Sequence, residues 1–433
     1  MRLLTWGARA LGAAAWGAVV RVARRIARRP PRIWHGPQPL HAIRYMVAAD
    51  RHAGYPSRSV VLTEKQVKTH DLVTRGDFDL VIRSESLPWQ DLHWLALIDL
   101  LLHADVWVTY FDGLFFNVNE PRKNELAFRL IRAAGIRIVV TAHGSDIIRL
   151  DVPHGRYDWI GRMQRDYPTW DFAAQTPVSK TRLDHFCRHA DLVLPGDPLM
   201  ATLVGARNDL LIKPYPIDTE ELQPVVSAPS GVVKIIHAPN HRFVKGTDFL
   251  IAAVEQVQAR GFRCELVLIE RVARSEALRR FAEADIIADQ FCMGGWAQFA
   301  LEGMALGKPV LTYLDRDHLE NRLFNLPVVN ATPENLPEVL AVLIELEELR
   351  RRLGTASRAA VERYQSVPAL AEVWDRIYRH VWWRKPLDLT GIAHFSPERK
   401  PRSLTEDPAE EEFWPVEVGE WMGRIRGVVG RVR

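Results

Sequence analysis

The sequence is poor in cysteine, has no apolar run long enough to span a bilayer, and holds no compact group of metal ligands. Its three cysteines, Cys187, Cys264 and Cys292, stand far apart in 433 residues. Neither a C-x-x-C pair nor the spacing of a disulfide framework is present, and free thiols in a large chain point to a reducing, cytoplasmic setting. The apolar run at residues 10–20 is about half the roughly 20 residues of a spanning helix. Arginines follow that run, whereas a secretory signal places its charge in front. The 15 histidines are dispersed, so no metal site is expected. No phosphate-binding G-x-x-x-x-G-K-[ST] loop occurs, no G-x-G-x-x-G follows a strand pattern, and no repeat of solenoid period is visible.

Acid is also missing from the N-terminus. The net charge is +4, yet residues 1–32 contain eight arginines and no Asp or Glu, which leaves the remainder at −4. Arg21, Arg24, Arg25, Arg28, Arg29 and Arg32 recur at helical spacing, with Val20, Val22, Ala23 and Ile26 off that face. Pro30 and Pro31 end the helical pattern before Arg32. With Trp6 and Trp16 at hand, residues 1–29 read as a basic amphipathic helix on an anionic membrane surface. A disordered basic arm, or a face for another polyanion, is the plain alternative. The acidic body and the lack of aromatics along the arginine face argue against nucleic acid as a partner.

What is present is alternation. Apolar strand patterns at 59–62, 80–82, 106–110, 136–141 and 191–194 are interleaved with helical patterns at 95–102 and 125–134. The second half repeats this: strands at 232–237, 264–269, 285–288 and 310–313, helices at 249–260 and 297–306. The class is therefore α/β, with parallel sheets covered on both faces. The expected organisation is a basic segment 1–32, a Rossmann-like domain 33–215, a second Rossmann-like domain 216–365, a helix 366–384 packing back on the first domain, and a charged tail 385–433. Two doubly wound domains would then face each other across a cleft.

Three stretches carry chemistry. Residues 285–309, DIIADQFCMGGWAQFALEGMALGKP, place Gly294 and Gly295 between a buried strand and a helix. Free backbone N–H groups and a helix dipole there suit a phosphate. Glu302, one to two turns into that helix, can accept two hydrogen bonds from a ribose diol. Residues 237–248, HAPNHRFVKGTD, set Arg242 and Lys245 in the loop after a strand, where ligands of open α/β sheets bind; two cations suit a diphosphate and a leaving nucleotide. Residues 141–146, TAHGSD, put His143 and Asp146 at another strand end, His143 to hydrogen-bond a sugar or acceptor hydroxyl and Asp146 to orient it or act as base. The plain readings are a turn, a solvated helix carboxylate, two surface cations and a structural histidine.

Together these motifs resemble GT-B glycosyltransferases, over residues 33–384, and among them the retaining family 4 (group 1) enzymes. HAPNHRFVKGTD is similar to that family's R…K-G segment, FALEGMALGKPV to its E-A-M-A-x-G-x-P-V segment, AHGSD to its H-G-x-D, and YPIDTEELQP to its interdomain P-x-x-[IV]-D. The resemblance implies that Glu302 binds ribose, that Arg242 and Lys245 bind the diphosphate, that His143 touches the donor sugar, and that no metal is required. In that family a glutamate stands eight positions before Glu302 and contacts the transferred sugar; here that position is Gly294. The expected function is transfer of a sugar from a UDP- or GDP-linked donor to a carbohydrate or lipid-linked acceptor in cell-surface glycan assembly. The competing readings are an inactive GT-B-shaped scaffold, which Gly294 keeps open, and a nucleotide-sugar epimerase. A phosphorylase is disfavoured because no cofactor lysine site is visible.

Overall fold

A computed structural model describes residues 2–62, 78–83, 86–152, 156–205, 207–225, 231–320 and 326–395. The expected terminal stretch at 421–433 lies outside the described residues. Two compact units form: the first from the described residues of 1–152, 171–216 and 370–392, the second from those of 153–170, 217–369 and 393–395.

In the first unit, strands β1 (Ile33–His35), β2 (Ser57–Leu62), β3 (Leu80–Ile82), β4 (Val106–Tyr110), β5 (Arg137–Thr141) and β6 (Leu192–Leu194) make a parallel sheet in the order β3-β2-β1-β4-β5-β6. This is the doubly wound order in which strand direction of travel reverses between β1 and β4. Every residue of β1, β4 and β6 is buried, as a sheet covered on both faces requires. Helices α1 (Arg2–Ile26), α2 (Ala42–His52), α3 (Trp89–His103) and α4 (Pro121–Ala133) belong to this unit. The indoles of Trp34 and Trp107 fill the core and still find acceptors, at Asp99 Oδ2 and the Gly36 carbonyl, both 2.9 Å away.

In the second unit, β7 (Val233–His237), β8 (Cys264–Leu268), β9 (Ile286–Ala288), β10 (Val310–Thr312) and β11 (Val329–Asn330) run parallel in the order β11-β10-β9-β7-β8. Here the reversal falls between β7 and β9. Residues 156–170, expected in the first domain, pack in this unit through α5 (Trp159–Asp166). The Asp166 carboxylate accepts from Phe243 N at 3.1 Å and Val244 N at 2.8 Å, and Arg162 pairs with Asp248 at 2.9 Å. Those partners are distant in sequence, so no local pattern announces them. Helices α6 (Phe172–His189) and α7 (Pro198–Val204) return to the first unit; α8 (Arg242–Lys245), α9 (Thr247–Ala259), α10 (Arg274–Ala282), α11 (Gln298–Ala305), α12 (Arg316–Glu320), α13 (Leu336–Glu345) and α14 (Glu347–Tyr364) complete the second. From Leu370 onward α15 (Val367–Trp383) packs in the first unit, where Tyr378 Oη donates to Asp50 Oδ1 at 2.7 Å.

The N-terminal segment is helical, but Arg21, Arg24, Arg25 and Arg32 of its arginine row turn inward, while Arg28 and Arg29, past the helix end, are exposed. Arg21 is 2% exposed and donates to the carbonyls of Ala104 at 2.6 Å, Leu101 at 2.6 Å, Ala134 at 3.3 Å and Leu100 at 3.5 Å. Ala104 and Ala134 cap the C-termini of α3 and α4, whose unpaired carbonyls and negative dipole ends attract a cation. Arg24 and Arg32 hold the buried Asp105 at 2.9 and 3.0 Å, and Arg25 lies 4.0 Å over Trp382. Helix C-termini and a buried carboxylate therefore claim the inner part of the arginine face. Burial lowers the Arg21 pKa to about 10, with Asp105 opposing the drop, so the guanidinium stays charged at neutral pH.

Arg21→Ala leaves four carbonyls short of a donor and removes one of the cations around Asp105. The expected loss is about 2–4 kcal/mol of stability, read as a lowered urea midpoint; an unchanged midpoint would contradict the fastening role.

Candidate functional site

In the second unit the loops after β7 and β9 diverge at the reversal of strand order, the usual ligand position in such sheets. His237 ends β7. Its Nδ1 donates to the Ala288 carbonyl at 2.7 Å, and its Nε2 accepts from Thr247 Oγ1 at 2.9 Å. Burial lowers its pKa to about 4, so it is neutral and ties β7 to β9 and α9. Arg242 and Lys245 follow on α8. Gly246 then turns the chain at φ 74°, where a Cβ would lie 3.0 Å from Phe291 Cβ.

Lys245 Nζ donates to Gln290 Oε1 at 2.6 Å, and Gln290 Nε2 donates to the Gly295 carbonyl at 2.7 Å. Thr312 Oγ1 donates to the same carbonyl at 2.8 Å. The sequence-identified lysine and glycine loop are thus joined through one amide side chain. Asp289 Oδ2 accepts from Ala297 N at 2.7 Å, just before α11. Arg242 is half exposed and forms a two-pronged pair with Glu270, 2.5 Å at the closer prong; this pairing raises its pKa. Glu270 was not visible as a partner in the sequence.

Glu302 lies on α11 with its side chain 12% exposed. Among the described residues its hydrogen bond comes from Arg274 Nη2, at a long 3.4 Å. Burial raises its pKa to about 7, against the pull of Arg274. Holding the carboxylate ionised there costs roughly 3 kcal/mol relative to water. Two hydroxyl donors on a ligand would relieve that cost. The next residue, Gly303, lets α11 approach the sheet: a Cβ there would sit 2.8 Å from Ile287 Cγ1.

At Gly294, φ is 75° and a Cβ would fall 2.6 Å from Asp315 Oδ2. A side chain at 294 therefore meets both backbone strain and an occupied space. The occupant is a carboxylate. Asp315 Oδ1 accepts from His318 N at 2.9 Å and lies 2.8 Å from His318 Nδ1. This acid, 21 positions on in the chain from Gly294, was marked by no motif.

In the first unit, His143 and Asp146 follow β5. His143 Nε2 lies 3.1 Å from Asp112 Oδ2, and its ring packs edge-on to Tyr110 at 5.4 Å. Burial would lower the His143 pKa, but Asp146 and Asp112 outweigh it and raise it to about 9. Asp146 is not placed as a base. Its Oδ1 accepts from His143 N at 3.1 Å and Gly144 N at 2.9 Å, and its Oδ2 from Phe111 N at 3.2 Å. A fully buried carboxylate bound to three backbone N–H groups fixes the turn and the charge of His143. Asp112, absent from the sequence reading, is the carboxylate nearest the His143 ring.

Among the described residues, two groups each bring three ligand atoms within 4.8 Å of one another: Asp112, His143 and Asp146, and, on α4 and α6, Glu125, His185 and His189. In the first, a cation would have to displace the His143 proton and compete with the amides on Asp146. In the second, Glu125 already pairs with Arg129 at 2.9 Å. That second group corrects the expectation of dispersed histidines; its signal was the i, i+4 pair in HFCRH. A cavity of about 910 Å³ lined by Val233, Asp285 and Arg350 lies at the strand starts, away from the loops described.

Compared with known proteins, the chain matches no family model and no curated sequence. Solved structures do match. The Anabaena protein HepE, solved with UDP and glucose, is similar over 80% of this chain and 99% of its own, at 12% identity and TM-score 0.51. Sucrose-phosphate synthase from Thermosynechococcus elongatus is similar over 82% of this chain and 100% of its own, at 13% identity and TM-score 0.55. The fold is that of GT-B glycosyltransferases, with two Rossmann-like parallel-sheet domains.

The raised His143 pKa carries a stability consequence. A cation held by carboxylates contributes fully below the ordinary imidazole value near 6.5 and is lost as pH rises through about 9. NMR titration of His143 should find that high midpoint, and Asp112→Asn should lower it; a midpoint near 6.5 in the unaltered protein would contradict the geometry.

Proposed function

We propose that this protein is a glycosyltransferase that moves a sugar from a UDP- or GDP-linked donor to a carbohydrate or lipid-linked acceptor, in cell-surface glycan assembly at the cytoplasmic face of a membrane. The observation that carries the proposal is Glu302, buried beside the β9 glycine loop with one long hydrogen bond and a pKa near 7. A ribose diol supplies the two donors it lacks. The loop after β9 and Lys245 take the diphosphate, and Arg242 joins them by exchanging Glu270 for a phosphate oxygen. Support from known proteins is the UDP and glucose bound by the similarly folded HepE.

His143, protonated at neutral pH, donates to a sugar hydroxyl, with Asp112 and Asp146 holding its proton. As charge develops on the leaving diphosphate, Lys245 and Arg242 stabilise it. The reaction is metal-independent in this reading, with Lys245 and Arg242 supplying the positive charge that a divalent ion would otherwise bring. Asp315 takes over the sugar-hydroxyl contact that a side chain at 294 would otherwise make.

Calorimetry with UDP, GDP and ADP tests the donor site. One nucleotide should bind saturably, and affinity should rise as pH increases through about 7, because the diol prefers the ionised carboxylate. Glu302→Gln should weaken binding by about tenfold or more and flatten that pH dependence. Unchanged affinity and an unchanged profile would remove Glu302 from the site. Binding of no nucleotide at all would favour the inactive scaffold.

A second comparison separates sugar recognition from nucleotide recognition. Asp315→Ala should weaken the nucleotide-sugar about tenfold and leave the bare nucleotide unaffected. Equal losses for both ligands would reduce Asp315 to a cap of α12.

A further inference from the structure

With Arg21, Arg24 and Arg32 turned inward, α1 presents its other side to solvent. That side is apolar. Leu11, Trp16, Val19, Val22 and Ile26 are 59, 63, 62, 58 and 79% exposed. The other exposed large apolar residues among the described ones reach only 37–44%. The most exposed apolar side chains thus share one helix, at spacing that makes one continuous stripe, with the small residues Ala8, Ala15 and Ala23 between them.

The helix cannot rotate to hide this stripe. Its inner face is built from Ala10, Ala13, Ala14 and Gly17, all buried, and from Arg21. A side chain at Gly17 would collide with the Leu101 carbonyl. Four hydrogen bonds from Arg21 to helix C-termini fix the angle of approach. Small residues inside and large apolar residues outside reverse the order of a water-facing helix.

Charge decides which surface covers it. α1 contains no acidic residue. Arg9 at one end of the stripe and Arg28 and Arg29 at the other are exposed. An apolar stripe with cationic ends and a flanking tryptophan matches the boundary between anionic headgroups and acyl chains. No helix among the described residues is long and apolar enough to cross a membrane, so the contact lies in the plane of the surface.

We infer that the outer face of α1, from Leu11 to Ile26, inserts into the interface of an anionic lipid bilayer, while its inner arginines serve only to fasten the helix to the protein. This rests on the membrane-side reading given above and names the face that makes the contact.

The test uses full-length protein and vesicles of phosphatidylcholine with or without phosphatidylglycerol. The unaltered protein should co-sediment with the anionic vesicles. Val19→Glu together with Ile26→Glu, both at exposed positions, should cut the partition coefficient at least about tenfold and leave nucleotide affinity and thermal midpoint unchanged. Brominated lipid should quench part of the tryptophan emission, and Trp16→Phe should remove that part. Ending the chain at residue 395 should preserve binding. If the unaltered protein stays in the supernatant, the inference and the membrane-side reading both fall. If it binds and the double variant binds equally well, the membrane-side reading survives and α1 is not the contact. Loss of binding on removing residues 396–433, or a lipid-free dimer that the double variant dissociates, would likewise overturn the assignment.

Discussion

Parallel strands send every following loop to the same edge of the sheet, and only where strand order reverses do two neighbouring loops move apart. In the second unit that place lies between β7 and β9, and the candidate donor site depends on it. The two loops are not left independent. Lys245, Gln290 and the Gly295 carbonyl form one hydrogen-bonded chain across the reversal, and His237 ties the strand ends beneath it. The arrangement holds a cation and a glycine turn in fixed relation, which is what a diphosphate needs before it arrives.

Glu302 is the residue that this frame leaves at a cost. Burial without strong donors lifts its pKa to about 7, and α11 can bring it so close to the sheet because Gly303 has no side chain. A carboxylate in that condition gains more from two hydroxyl donors than a solvated one would. Asp315 completes the same surface from a different direction, filling the volume beside Gly294. The volume a side chain at 294 would need is thus already taken by a carboxylate from elsewhere in the chain.

Much of the frame was legible in the sequence because it is local. The strand patterns at 106–110 and 80–82 coincide with β4 and β3; Lys245, Gly294 and Gly295 stand out in loops after strands, and Glu302 as the acid of an otherwise apolar helix that follows one. What escaped was set by tertiary contact. β1 is only three residues long and central, too short to show a period. The 18-residue α6 carries a proline inside and little amphipathic contrast. Asp112, Glu270 and Asp166 act on partners far away in sequence, and Asp315 approaches Gly294 across a separation of 21 residues. Spacing placed Asp146 near His143, to orient it or act as base, and could not choose between the two; three backbone amides on its oxygens are invisible to spacing. The arginine row of α1 misled for a related reason. Periodicity reports that a face exists, and only the ends of α3 and α4 determine whether it meets solvent or protein.

The central claim is that the carboxylate of Glu302 receives the two ribose hydroxyls of a nucleotide. It is tested most directly by measuring the affinity of the preferred nucleoside diphosphate and its 2′,3′-dideoxy analogue for both the unaltered protein and Glu302→Ala. The account expects the unaltered protein to lose about tenfold or more on removal of the hydroxyls, and the variant to bind both nucleotides alike. An equal loss in the two proteins would contradict it, because the hydroxyls would then be recognised by some other group.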